Sequence, residues 1–127
     1  MKKMLIVLTL VTLSGCSMLN YIPSSFDYNE SAKITDIQQD VRLLDCKVDT
    51  IKGVYALYND VKWLETYSST KKSRDISSII PALTKSVTEL KERGDKGPIS
   101  NIYCELKRKI ITQEAEQISN AVQGRFL

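Results

Sequence analysis

The sequence of 127 residues contains no histidine, so the side chains best able to do chemistry are three cysteines and several closely spaced carboxylates. That absence excludes Ser/His and Cys/His catalytic arrangements and histidine-ligated metals. The pairs Asp36/Asp40 and Asp45/Asp49 have the i,i+4 spacing that places two carboxylates on one helix face, where one pKa is raised or a cation is held. Basic residues beside both pairs favour an ordinary solvated face. These residues are Lys33, Arg42, Lys47 and Lys52. We expect no metal, no cofactor and no enzymatic activity.

The first cysteine, Cys16, follows a segment organised like a secretory signal. Lys2 and Lys3 supply its positive charge, and residues 4–12 form an apolar run of roughly nine residues. A helix that spans a bilayer needs about 20 apolar residues, so this run is too short to be a membrane anchor. The sequence therefore predicts a targeting signal that ends in small residues.

The tetrapeptide Leu13-Ser14-Gly15-Cys16 resembles the lipobox of bacterial lipoprotein precursors. This resemblance implies that residues 1–15 are a cleaved signal peptide and that the sulfur of Cys16 carries lipid. Two or three acyl chains hold a protein durably at a membrane without a transmembrane helix. Ser17 stands where an aspartate retains enteric-type lipoproteins in the inner membrane. We therefore expect the periplasmic face of the outer membrane, with the inner membrane as the alternative.

Lipidation of Cys16 would leave Cys46 and Cys104 as an even pair in an oxidising compartment. A disulfide between them is the expected outcome, and two buried free thiols are the alternative. A zinc site is not expected, because neither cysteine belongs to a CxxC pair and there is no histidine.

Residues 16–30 are predicted to be a lipidated tether, because Pro23 and several polar residues interrupt any helical period. The helical domain is expected over residues 31–127. Its first helix is predicted over 31–67, where apolar residues recur at alternating spacings of three and four. That stripe consists of Ile34, Ile37, Val41, Leu44, Val48, Ile51, Tyr55 and Tyr58.

Two further helices complete the predicted fold. The second runs from about residue 75 and ends before the Gly- and Pro-containing segment 94–98, and the third runs from there to about residue 123. Ile102 and Leu106 are expected among the apolar residues that line the third helix. The sequence predicts an all-α, disulfide-stapled, three-helix antiparallel bundle with a long first helix.

In this predicted register, no element covers the first turns of helix one. Ile34, Ile37, Val41 and Leu44 would then form an exposed apolar seam that docks a second helix, from another copy of the chain or from an envelope partner. The alternative is that helix one breaks near Asp45 and folds its first half onto the bundle.

Two other features of the sequence are candidate binding sites. The basic loop residues Lys71, Lys72 and Arg74 are expected to be solvated, with anionic lipid head groups or an acidic partner as the alternatives. Trp63 and its tyrosine neighbours are expected to fill the core. The net charge is +3, but Lys2 and Lys3 belong to the signal, so no nucleic-acid surface is expected.

Beyond the lipobox, three segments are similar to small lipoproteins of tailed bacteriophages and their bacterial hosts. These segments read IPSSFDYNESAKITDIQQDV, YCELKRKI and QGRFL. We expect a membrane-anchored, non-enzymatic structural or partner-binding module of the cell envelope. The alternative, which the resemblance implies, is a phage-related lipoprotein that acts in lysis or modifies infection.

Overall fold

The computed structural model describes residues 23–125, and in this range the chain is helical with no strand. This confirms the all-α prediction. The helices in the described range are α1 (Tyr28–Leu43), α2 (Thr50–Lys71), the one-turn α3 (Arg74–Ser77), α4 (Ile80–Asp95) and α5 (Asn101–Gln123).

The four long helices pack as a ring in which α2 contacts α1 and α4, and α5 contacts the same two helices. Each neighbour runs antiparallel to the next, as three cross-helix contacts illustrate. Lys33 of α1 pairs with Asp60 of α2, and Ser31 of α1 bonds to Gln123 of α5. Tyr55, near the start of α2, bonds to Asp95, the last residue of α4. The architecture is an up-down-up-down bundle of four long helices rather than three.

The prediction of one helix over 31–67 was wrong, because the chain reverses at residues 44–49. The backbone of Leu44 is extended, and the Asp45 carboxylate accepts the backbone N–H groups of Lys47 and Val48 at 2.7 and 3.2 Å. Such a local side-chain bond competes with helical hydrogen bonding. Asp49 then adopts a left-handed conformation with φ 49°. Helix α1 therefore ends here and folds back beside α2.

This reversal buries the seam that was predicted to bind a partner. Ile34 and Ile37 are 0% exposed, Val41 is 2% exposed and Leu44 is 3% exposed. The expectation of an exposed seam was wrong, because the apolar stripe of α1 faces α2 and α5 once the chain has turned. The alternative prediction, that the first helix breaks near Asp45 and its first half folds onto the bundle, is confirmed.

The helix ends have local explanations. Helix α1 begins at Tyr28, inside the segment predicted as tether, because the carboxylate of Asp27 accepts the backbone N–H of Glu30 and caps the first turn. Pro81 lies in the first turn of α4, where its missing N–H costs nothing. The Ser100 hydroxyl accepts the backbone N–H of Tyr103 and caps α5.

Candidate functional site

One end of the bundle gathers the start of α1, the end of α2, helix α3 and Arg125, which lies two residues after the end of α5. We call it the Arg125 end, after the side chain at its centre. The backbone N–H and the hydroxyl of Ser24 donate to the Asp75 carboxylate at 3.3 and 3.0 Å. Ser24, the second residue of the described range, is therefore held at this end.

A buried ionic network holds the Arg125 end together. The Arg125 side chain is fully buried, donates from Nε and Nη2 to Asp75 at 2.7 Å each, and pairs through Nη1 with the equally buried Glu30. The Ser73 hydroxyl donates to Glu30 at 2.6 Å. Burial alone would raise the pKa of Asp75, but Arg125 and Ser24 outweigh it and hold that pKa below its ordinary value. The network joins α1, α3 and the chain after α5.

A second ion pair closes the same end on its outer side. Lys71 donates to the Asp27 carboxylate at 2.5 Å, and the Tyr67 hydroxyl donates to the same carboxylate at 3.3 Å. Burial raises the pKa of Asp27, but Lys71 and the backbone N–H of Glu30 lower it further than burial raises it. The end of α2 is thus tied to the cap of α1.

The predicted basic loop lies on this end, and its three cations differ. Lys71 is in the ion pair with Asp27, whereas Lys72 and Arg74 are exposed and form no ion pair with any residue between 23 and 125. Tyr28, the first residue of α1, is 79% exposed and follows Asp27, which bonds to Lys71. Within residues 23–125, the exposed surface of the Arg125 end is therefore basic, and it includes the ring of Tyr28.

The opposite end carries the disulfide. Cys46 in the 44–49 turn is bonded to Cys104 in α5, with Cα atoms 5.6 Å apart, and both residues are buried. The predicted pairing is confirmed. Arg108 Nη1 adds a weak bond of 3.4 Å to the carbonyl of Leu44. We call this the disulfide end.

Exposed apolar side chains collect near the disulfide end. Ile102 is 83% exposed and Leu43 is 69% exposed, and Val48 and Leu106 are also more than half exposed. Sequence reasoning assigned Val48 to the helix-one stripe and Ile102 and Leu106 to the lining of helix three, so it missed this surface. The signal lay in spacing: positions 102 and 106 are each two residues from Cys104, which puts them on the opposite side of α5.

The carboxylates on α1 do not all lie on a solvated face, although a solvated face was expected from the sequence. Asp40 is half-buried, its Oδ2 has no hydrogen-bond partner among residues 23–125, and Asp60 lies beside it. Burial and the neighbouring Asp60 carboxylate raise the pKa of Asp40 to about 6. The Nζ of Lys33 lies 3.0 Å from a carboxylate oxygen of Asp60 and 3.4 Å from one of Asp36, so Lys33 bridges these two residues. No group of residues in the described range is suited to hold a metal ion.

This raised pKa gives a pH-dependent stability. A carboxyl group that holds its proton more tightly in the folded state favours folding at low pH, and that contribution is lost as the pH rises through the folded pKa. We expect Asp40→Asn to raise Tm relative to wild type by more above pH 6 than near the ordinary Asp pKa of 3.8. Calorimetry at the two pH values measures the difference. Glu92→Gln, at an exposed carboxylate of α4 outside this cluster, is the control and should change Tm little at either pH.

The aromatic residues of α2 do not form the expected core cluster. Trp63 is 42% exposed and stacks on Tyr67 with ring centroids 4.7 Å apart. Tyr55 is on another face, bonded to Asp95 at 2.5 Å, and only Tyr58 packs against the core. The expectation of core filling was wrong for Trp63 and Tyr55.

An open groove of about 810 Å³ runs along the surface between α1 and α5. Its walls carry side chains of both charges, Arg42 and Arg108 against Glu105 and Glu116. Arg108 is already paired with Glu105 at 2.7 Å. The groove therefore has no dominant charge with which to select a ligand.

Cys16, the predicted lipidation site, lies outside the described residues. Within residues 23–125, none of the helices has the length and apolar character needed to cross a membrane. Comparison of the chain with protein-family models, with curated proteins and with solved structures finds no match.

Proposed function

We propose that this chain is a lipid-anchored lipoprotein of the bacterial outer membrane, facing the periplasm, and that it acts as a non-enzymatic structural or partner-binding module of the cell envelope. The observation that carries the proposal is the sequence Leu13-Ser14-Gly15-Cys16 behind a short apolar signal. The disulfide supports it, because Cys46 and Cys104 are bonded to each other and Cys16 is the third cysteine of the chain. A disulfide is also typical of an exported protein.

The shape of the bundle supports the module role. Ser24 is held at the Arg125 end, so an anchor eight residues earlier at Cys16 would hold the bundle at the membrane by that end. Helix α2 has 22 residues and is about 33 Å long at 1.5 Å per residue. The disulfide end would then point away from the bilayer. Its exposed apolar side chains, Leu43, Val48, Ile102 and Leu106, support the partner-binding part of the proposal.

Replacing Cys16 with serine tests the anchor. The full chain is expressed in a Gram-negative host with labelled palmitate, and wild type is expected to incorporate the label and to lose residues 1–15. Cys16→Ser is expected to lose all label and to keep the signal peptide, because a hydroxyl does not accept the thioether-linked lipid on which cleavage depends.

Ser17→Ala is the matched control, since it changes the neighbouring residue and leaves the thiol in place. It should incorporate label and be cleaved like wild type. A Cys16→Ser chain with the same processed mass as wild type would overturn the anchoring proposal.

A further inference from the structure

We propose that Lys72, Arg74 and Tyr28 form a surface that binds the head groups of anionic phospholipids, so that the bundle stands on the bilayer by its Arg125 end. This inference rests on the proposed lipid anchor at Cys16. It goes further, because it assigns residues of the folded bundle to the membrane and fixes which way the bundle points.

The first argument is the reach of the chain. Ser24 is held by Asp75, the residue directly after Arg74. Eight residue steps separate Cys16 from Ser24, so even a fully extended chain spans no more than about 29 Å. The Arg125 end is therefore confined close to the surface that holds the lipid.

The second argument is the distribution of charge at the Arg125 end. Its three carboxylates between residues 23 and 125 are engaged: Asp27 by Lys71, and Glu30 and Asp75 by the buried Arg125. Lys72 and Arg74 stand outside this network, exposed and without an ion pair in the described part of the chain. Basic residues next to a membrane are attracted by anionic lipids, and each one strengthens binding roughly fivefold. Two such residues, on the surface nearest the lipid, are suited to bind the head groups of an anionic bilayer.

The third argument is the exposed ring of Tyr28. A tyrosine that is 79% exposed on the first turn of α1 gains nothing from the core. Aromatic rings with a polar edge are enriched at the level of lipid head groups, where the ring is partly dehydrated and the hydroxyl stays wet. Asp27, the residue before Tyr28, bonds to Lys71, and this bond places the ring on the same end as Lys72 and Arg74.

Trp63 provides an internal reporter for the test. It is the one tryptophan of the chain, is 42% exposed, and stands eight residues before Lys71, about 12 Å along α2 from the Arg125 end. The full lipidated chain is reconstituted into phosphatidylcholine vesicles that contain a dansyl-labelled head group, with or without phosphatidylglycerol. Energy transfer from Trp63 to dansyl then measures how closely the Arg125 end approaches the surface.

For wild type, we expect higher transfer in vesicles with phosphatidylglycerol than in phosphatidylcholine alone, and loss of the difference at high salt, which screens exposed charges. Lys72→Glu/Arg74→Glu is expected to reduce transfer in the anionic vesicles to the level of the neutral ones. Tyr28→Ser should lower transfer in both. Lys52→Glu/Lys96→Glu makes the same charge change at exposed residues of the disulfide end, and it should behave like wild type.

The outcomes separate the two proposals. All variants should float with the vesicles, because the lipid on Cys16 holds them. If wild type itself does not float, the proposed anchor is wrong and the inference falls with it. If all float but Lys72→Glu/Arg74→Glu matches wild type, the anchor stands and the surface does not bind lipid, as for a solvated loop or a contact with an acidic protein.

Discussion

Replacing Arg125 with alanine is expected to lower the free energy of unfolding by roughly 3–5 kcal/mol, as is typical when one partner of a buried ion pair is removed. The Arg125 side chain is 0% exposed and contacts two carboxylates, Glu30 and Asp75. Without it, Glu30 stays in the interior with the Ser73 hydroxyl as its remaining hydrogen-bond donor. Urea unfolding followed by circular dichroism measures the loss.

Arg108→Ala is the matched control for this prediction. Arg108 pairs with Glu105 one turn earlier on α5, where both side chains are more than a third exposed. Exposed pairs contribute roughly 0–1 kcal/mol, so this variant should lose far less than Arg125→Ala. Equal losses in the two variants would show that the buried network adds little to stability.

The cost of Arg125→Ala should also depend on pH. Arg125 helps to hold the pKa of Asp75 below its ordinary value of 3.8, although burial opposes this. A lowered folded pKa contributes stability that is present above 3.8 and is lost as the pH falls through the folded value. The difference in unfolding free energy between wild type and Arg125→Ala is therefore expected to shrink on acidification.

The network at the Arg125 end illustrates what the sequence does not reveal. Arg125 is 95 positions from Glu30 and 50 from Asp75, so no local pattern connects them. The start of α1 was more accessible to sequence reasoning. Asp27 and Glu30 have the spacing of a capping box, in which an acidic residue follows the cap by three positions. That signature marks the observed start of α1, although the Glu30 carboxylate goes to Arg125 and Ser73.

The apolar spacing predicted helices correctly on both sides of residues 44–49, but it did not reveal the break between them. Val48 and Ile51 keep the spacing of three and four through the turn, yet both are exposed in the structure. Helix α2 instead buries the second stripe, which consists of Val54, Leu57, Val61 and Leu64. An amphipathic pattern predicts which face of a helix is buried. It does not reveal a turn when the apolar residues of that turn keep the spacing of three and four. The short carboxylate of Asp45 was the local signal of the turn.

The disulfide was predicted correctly from the number of cysteines and the expected compartment, although the topology expected around it was wrong. Sequence reasoning placed Cys46 on a helix parallel to the one that carries Cys104. In the structure Cys46 lies in a turn, and α1 runs antiparallel to α5. The pairing was inferred from the number of cysteines and an oxidising compartment, without using the positions of the helices. The error in the fold therefore did not affect it.

Removing that disulfide is expected to destabilise the bundle by about 4 kcal/mol in the chain-entropy model, which depends on the length of the closed loop. The bond joins residues 58 positions apart, so the unfolded chain gains much conformational freedom when it is lost. The variant Cys46→Ser/Cys104→Ser is best compared with its parent as residues 17–127, which omit the signal peptide and Cys16. Urea unfolding of the two forms measures the difference.

The folded state of the cysteine-free form should remain helical, because the core that holds α1 against α2 and α5 does not depend on the bond. The buried residues Ile34, Ile37 and Val41 still pack in that core. The loss should therefore appear as a lower unfolding midpoint with an unchanged native spectrum. Alkylation of the parent protein without reductant, followed by mass spectrometry, is expected to find no free thiol at Cys46 or Cys104. Two labelled thiols, or an unfolding free energy that does not change, would contradict the prediction.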